Sequence, residues 1–170
     1  YVLRLSASDS ALTTADDLTV TVNTSGGTPG TGLTGQYYNG ITLTTLRHTR
    51  VDPTVNFDWV EGSPAPNVPI NNFSVRWTGQ VRATVSGNYV FSTVSDDGVR
   101  LWVNGQQVIN NWTDHGATTN TSAPIALVAG VTYAIRLEFY DRDEDAVIRL
   151  QWSFPGQATQ PIPQSQLFPQ

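Results

Sequence analysis

The sequence contains no cysteine, which excludes disulfide staples and thiolate metal sites but fixes no compartment, since many bacterial surface proteins also lack it. Lysine is absent too: all nine cations are arginine, and the formal net charge is −5. With no basic stripe to displace counterions from phosphate, nucleic acid is not expected as a partner. No apolar run approaches the roughly 20 residues of a membrane span, and no cleavable signal opens the chain. Signatures of catalysis are equally scarce. There is no Gly-x-Ser-x-Gly elbow and no phosphate loop, and the two histidines, His48 and His115, stand far apart in the chain. No segment holds a helical period over three turns.

What is present is β-forming. Five Trp, six Tyr and six Phe, with many Val, Ile, Leu and Thr, supply enough bulky apolar surface to offset chain entropy, and plentiful Gly and Pro favour turns between strands. Phe73, Val75 and Trp77 share one face of a run, as do Tyr89 and Phe91 of the next. Val99, Leu101 and Val103 point inward ahead of Asn104-Gly105, the strongest short hairpin signal in the chain. Tyr133, Ile135, Leu137 and Phe139 alternate with Arg136 and Glu138, which are expected on the polar side. Ile148, Leu150 and Trp152 repeat the pattern. Short strands separated by turn residues predict an all-β, antiparallel sandwich or barrel.

Composition divides the chain. Residues 1–24 read as a hairpin, marginal on its own, and residues 25–32 have the Gly/Ser/Thr/Pro composition of a linker. The dense strand signals fill 33–170. Because the sequence opens in mid-strand, it is expected to be a piece of a longer polypeptide or a mature product.

Two acidic loops hold the functional signal. Asp96 and Asp97 are adjacent in "SDDG", where like charges make each other harder to ionise. The stretch "YDRDEDAVIRL" adds Asp141, Asp143, Glu144 and Asp145. If both loops lie at one end of the sandwich, six carboxylates face one internal cation, Arg142, and a hard divalent ion such as Ca²⁺ is the natural counter-charge. An EF-hand is excluded, because Ala146 and Trp152 stand where that loop requires Gly and Glu. Taken singly, each loop also reads as a solvated hairpin tip. A glycosidase needs two acids flanking a bond across roughly 5–10 Å; neighbours 96 and 97 cannot do that, although Asp97 opposite an acid of the second loop leaves a minor hydrolase reading open. His115 beside Asp114 reads better as a packed loop histidine than as a catalytic one. Among the tryptophans, Trp77 and Trp152 are expected in the core, while Trp102, out of phase with its neighbours, and Trp112, in a polar loop, are candidates to face a ligand.

"GLTGQYYNG", "RVDPTVNFDW", "FSVRWTGQV", "SGNYVFSTVSDDGVRLWVNGQQVINNW", "LVAGVTYAIRLEFYD" and "IRLQWS", in this order over residues 33–170, resemble the PA14 domain family. The resemblance implies an elongated β-sandwich or barrel of toxins, glycosidases and adhesins. In lectin-like members an Asp-Asp pair joined by a cis peptide binds Ca²⁺, and the ion coordinates sugar hydroxyls; Asp96 and Asp97 match that pair. Further ligands are implied from the loop corresponding to Asp141–Ala146, which is acidic here rather than Gly-rich, so that Asp143 and Asp145 or neighbouring carbonyls complete the shell. Trp112 and His115 are expected to border the sugar together with Asp96 and Asp97. Residues 1–24 are similar to the last strands of cadherin-like or Ig-like repeats. The expected function is that of a non-enzymatic, calcium-dependent carbohydrate-binding module of an extracellular, cell-surface protein, bacterial in origin, whose partner is a cell-surface or extracellular polysaccharide. The alternative is a structural subunit or spacer of a stalk or filament that docks a neighbouring subunit or domain through residues 1–24.

Overall fold

A computed structural model describes residues 2–8, 13–19, 28–60 and 62–170. The strands in chain order are β1 (Val2–Ser8), β2 (Thr13–Thr19), β3 (Leu33–Asn39), β4 (Thr45–Asp52) and β5 (Asn56–Val60). They continue as β6 (Phe73–Arg82), β7 (Gly87–Asp96), β8 (Val99–Val103), β9 (Gln106–Asn111) and β10 (Thr118–Thr121). The last five are β11 (Ile125–Leu127), β12 (Thr132–Asp141), β13 (Ala146–Phe154), β14 (Gln157–Pro161) and β15 (Leu167–Pro169). Apart from a 3-10 turn at Gln164–Gln166, the regular structure described is β, and no helix among the described residues is long and apolar enough to cross a membrane.

β1 and β2 pair antiparallel, Val2 opposite Thr19. The remaining strands form two antiparallel sheets. One runs β4-β3-β6-β12-β8-β9 with β15 added on β6; the other runs β10-β7-β13-β14 with β11 on β7 and β5 on β13. Strand alternation turns Leu33, Tyr37, Val75, Trp77, Leu101, Leu137 and Phe139 of the first sheet toward Tyr89, Phe91, Ile148, Leu150 and Trp152 of the second. All twelve are essentially inaccessible to solvent, each contributing on the order of 2 kcal/mol by leaving water. Trp77 and Trp152 thus lie in the core, as their phase requires. The Asn104-Gly105 turn joins β8 to β9 with both residues at positive φ, 51° and 78°, the twist a two-residue hairpin needs.

Glu138 departs from its expected solvated position. It occupies the outer face of its sheet yet is only 3% exposed, because Arg76 and Arg100 from the flanking strands close over its carboxylate at 2.9 and 2.6 Å. Within the expected linker, residues 25–27 lie outside the described residues, whereas Gly30 and Gly32 donate backbone hydrogen bonds to Ser165 and Leu167 and are buried.

The topology positions the site. Residues 97–98 carry the chain from the second sheet (β7) to the first (β8), residues 112–117 bring it back from β9 to β10, and residues 142–145 cross from β12 to β13. These sheet-switching connections converge at one pole, joined there by the segment before β6, where the Asn72 N–H donates to the Arg142 carbonyl at 3.1 Å.

Candidate metal and carbohydrate site

Asp97 is the hub of this pole. Its side chain is turned inward, with the residue 6% exposed. Oδ1 accepts the His115 backbone N–H at 2.8 Å and Oδ2 accepts the Arg142 backbone N–H at 2.9 Å. One carboxylate therefore ties three connections together, through charge-assisted bonds of the strong kind. The Asp96–Asp97 peptide is cis. Asp96 ends β7 opposite Val147; partial burial first, and then the charge of Asp97, push its carboxyl above the ordinary range, with Asp145 adding to the rise and the Ala117 N–H opposing it.

Asp141, counted among the acids of the second loop but not assigned as a ligand from the sequence, is the most constrained of them. It is fully buried, and both of its carboxylate oxygens lack a hydrogen-bond partner. Burial raises its pKa to about 7, helped by the negative charges of Asp97, Asp96 and Asp143 and opposed by the nearby Asn72 N–H, which spends its hydrogen bond on a carbonyl instead. A partnerless carboxylate in such a place is costly. A signal did exist in the sequence: Asp141 continues the inward phase of Ile135, Leu137 and Phe139, so an acid stands where the strand calls for an apolar residue.

Around this core sits a supporting lattice. Tyr140 donates its hydroxyl to Asp114 Oδ1 at 2.7 Å, and Arg142 Nε meets Asp114 Oδ2 at 2.8 Å. Those two contacts hold the Asp114 carboxyl below its ordinary range, the Tyr140 bond foremost. The Tyr140 N–H donates to the Gly98 carbonyl at 3.0 Å, and the ring lies so close to Gly98 that any Cβ there would overlap it. Trp112 packs edge-on against Tyr140, ring centroids 4.7 Å apart, while the Arg100 guanidinium covers its indole at 3.9 Å. His115 meets Asp97 through its backbone; its Nδ1 is bonded to the Gly116 carbonyl at 2.9 Å and its Nε2 is buried without a partner.

Of the residues singled out in the sequence, Asp96, Asp97, Trp112 and His115 come together at this pole. Asp143 and Asp145 lie on the same loop but are exposed, near enough to influence Asp141 and Asp96 electrostatically. Arg142, the one cation within the two acidic loops, directs its side chain to Asp114. Trp102 belongs elsewhere: it lies toward the Asn104-Gly105 end of β8, with Arg136 stacked on it at 3.9 Å. Among the described residues no three His, Asp or Glu side chains form a ready-made metal cage. A hard cation at this pole thus requires backbone carbonyls, water or ligand oxygens besides carboxylates, the mixed donor set that Ca²⁺ accepts. The two orphaned oxygens of Asp141 fit that chemistry.

The family model of the PA14 domain matches residues 29–166, and the chain belongs to the PA14 domain family. Residues 1–24 lie outside that match. The chain is 44% identical over 140 residues to the anti-sigma-I factor RsgI3 of Acetivibrio thermocellus, a match that covers 82% of this chain and 22% of that protein. Among solved structures, an anti-sigma factor domain-containing protein from Clostridium clariflavum superposes with a TM-score of 0.81 at 30% identity, covering 96% of this chain and 58% of the other. A PA14 sugar-binding domain from an RTX adhesin shares the fold with a TM-score of 0.70 at 19% identity, over 85% of this chain and all of that domain. The chain thus spans about a fifth of the length of that curated relative.

Proposed function

We propose that this chain is a Ca²⁺-dependent carbohydrate-binding module of an extracellular protein. The observation that carries the reading is the buried Asp141 carboxylate, with both oxygens unpartnered, beside the Asp96–Asp97 pair at the pole where three sheet-switching loops meet. The charge of Asp97 adds to burial in raising the proton affinity of Asp96 and of Asp141, a repulsion that a divalent cation relieves. Asp96, Asp97 and Asp141 would hold the ion, with Asp143, Asp145 or the carbonyls of their loop completing the shell; when bound, the ion would supply open coordination positions for vicinal sugar hydroxyls. Trp112 and His115 border that position. The likeness to a domain named for sugar binding supports the choice of ligand. Affinity for calcium belongs to the range of extracellular modules, on the order of 0.1–1 mM.

The relative called an anti-sigma-I factor favours a particular setting: the binding module serves a longer signalling protein rather than an adhesin. A glycan array probed with and without chelator tests the binding itself. Signals on a defined set of sugars that vanish with chelator support the proposal; an array blank under both conditions, or one indifferent to chelator, overturns it.

A further inference from the structure

The outer face of the β4-β3-β6-β12-β8-β9 sheet carries a second feature, away from the acidic loops. Cross-strand pairing lines up Gln36, Arg76, Glu138, Arg100 and Asn110 in one row, and Thr34, Thr78, Arg136, Trp102 and Gln107 in the next. Three of the chain's nine cations thus stand together on a protein of net charge −5, and the only acid in these rows is Glu138. That carboxylate is already held between Arg76 and Arg100. Arg136 stands 3.9 Å from it with its side chain 45% exposed, and the Arg100 Nε has no partner. The rows keep two positive charges in excess.

Aromatic rings stiffen this surface. Arg136 lies on Trp102 and Arg100 on Trp112, each guanidinium 3.9 Å from the ring centroid. Stacking fixes the plane of a guanidinium and leaves the N–H groups at its edge to bind in that plane, the fork that matches a carboxylate. Glu138 shows that this face already seats one carboxylate. Beside Trp102 and Arg136 a cavity of about 400 Å³, also lined by Thr78, Gly79, Gly105 and Ala134, adds an open recess.

We propose that this face is a calcium-independent binding surface for a carboxylate-bearing glycan chain, with Arg136 and Trp102 at its centre. Each ring already carries a guanidinium on its face, and the edges of those guanidinium groups suit uronate carboxylates. A doubly stranded or more densely charged polyanion such as nucleic acid is disfavoured by the chain's overall negative charge. Its centre, Arg136 and Trp102, lies away from the acidic pole, which the face meets where Arg100 covers Trp112, and it does not rest on calcium binding there.

Titration calorimetry on the full chain, with chelator present throughout, tests the assignment using oligomers of glucuronate, galacturonate and mannuronate and their methyl esters. At least one free-acid oligomer is expected to bind, more weakly as salt rises, while its ester does not. Arg136→Ala should weaken binding about tenfold or more, the worth of one charge-assisted contact. Arg136→Lys should keep part of the affinity. Arg149→Ala, which removes the same charge from the other sheet, should leave it unchanged. The proposal is overturned if no free-acid oligomer binds, if esters bind as well as acids, if a single-stranded DNA oligomer binds as tightly, or if Arg149→Ala matches Arg136→Ala.

Discussion

The Arg142 backbone N–H donates to Asp97 Oδ2 across 2.9 Å, joining two strand ends 45 residues apart in sequence. The same carboxylate takes the His115 N–H on its other oxygen, so its negative charge organises the backbone of the acidic pole before any ion is considered. Asp97→Ala removes both acceptors and leaves two N–H groups without a partner. The expected loss is on the order of 3 kcal/mol of stability in the absence of calcium, read by urea denaturation. Asp97→Asn, which keeps one acceptor oxygen, should recover part of it.

Asp141 sets a pH dependence of unusual sign. Its folded pKa of about 7 lies above the unfolded value of about 4, so the folded state binds the extra proton between these limits. Stability of the calcium-free protein should therefore fall as pH rises from about 4 to about 7, by no more than about 1.4 kcal/mol per pH unit from this group. The raised Asp96 contributes in the same direction. Asp141→Asn should flatten the profile and stabilise the calcium-free protein at neutral pH, measured by thermal melts across pH.

Gly98 is required for space. A methyl group there would overlap the Tyr140 ring, forcing the ring and its bond to Asp114 to move. Gly98→Ala should cost about 1–3 kcal/mol through overpacking and weaken calcium binding as well, whereas Tyr140→Phe, which loses only the hydroxyl, should cost about 1 kcal/mol. Chemical denaturation of both variants separates the two effects.

A separate buried network fixes the β3-β4 edge. Asp52 accepts from Trp77 Nε1 at 2.7 Å, from Tyr37 Oη at 2.5 Å and from Arg50 Nε at 2.6 Å. Asp52→Ala leaves a buried indole N–H and a phenol unpaired and should destabilise by about 3–5 kcal/mol, with calcium binding retained wherever the variant is still folded.

The alternation of apolar residues made the strands and most of the core legible in the sequence, since period-two burial is a local property. Asn104-Gly105 announced its hairpin for the same reason. Sheet order was not legible, because which strands pair is decided by contacts far apart in the chain; the meeting of the two acidic loops entered as a condition and through the family resemblance, while the backbone bond from the 112–117 connection to Asp97 did not enter at all. Asp141 was counted among the acids but not set apart from them, because a run of acids hides which member faces inward, although its phase with Phe139 marked it. Glu138 shows the converse: an outward position becomes buried when arginines from neighbouring strands close over it, and no single strand's pattern contains that fact.

The most direct test of the calcium site is a calorimetric titration of Ca²⁺ into the wild type and Asp141→Asn at neutral pH. The account predicts saturable binding with a dissociation constant on the order of 0.1–1 mM for the wild type and none for the variant, with melting temperatures showing both are folded. Equal heats for the two proteins, or no heat for either, would contradict it.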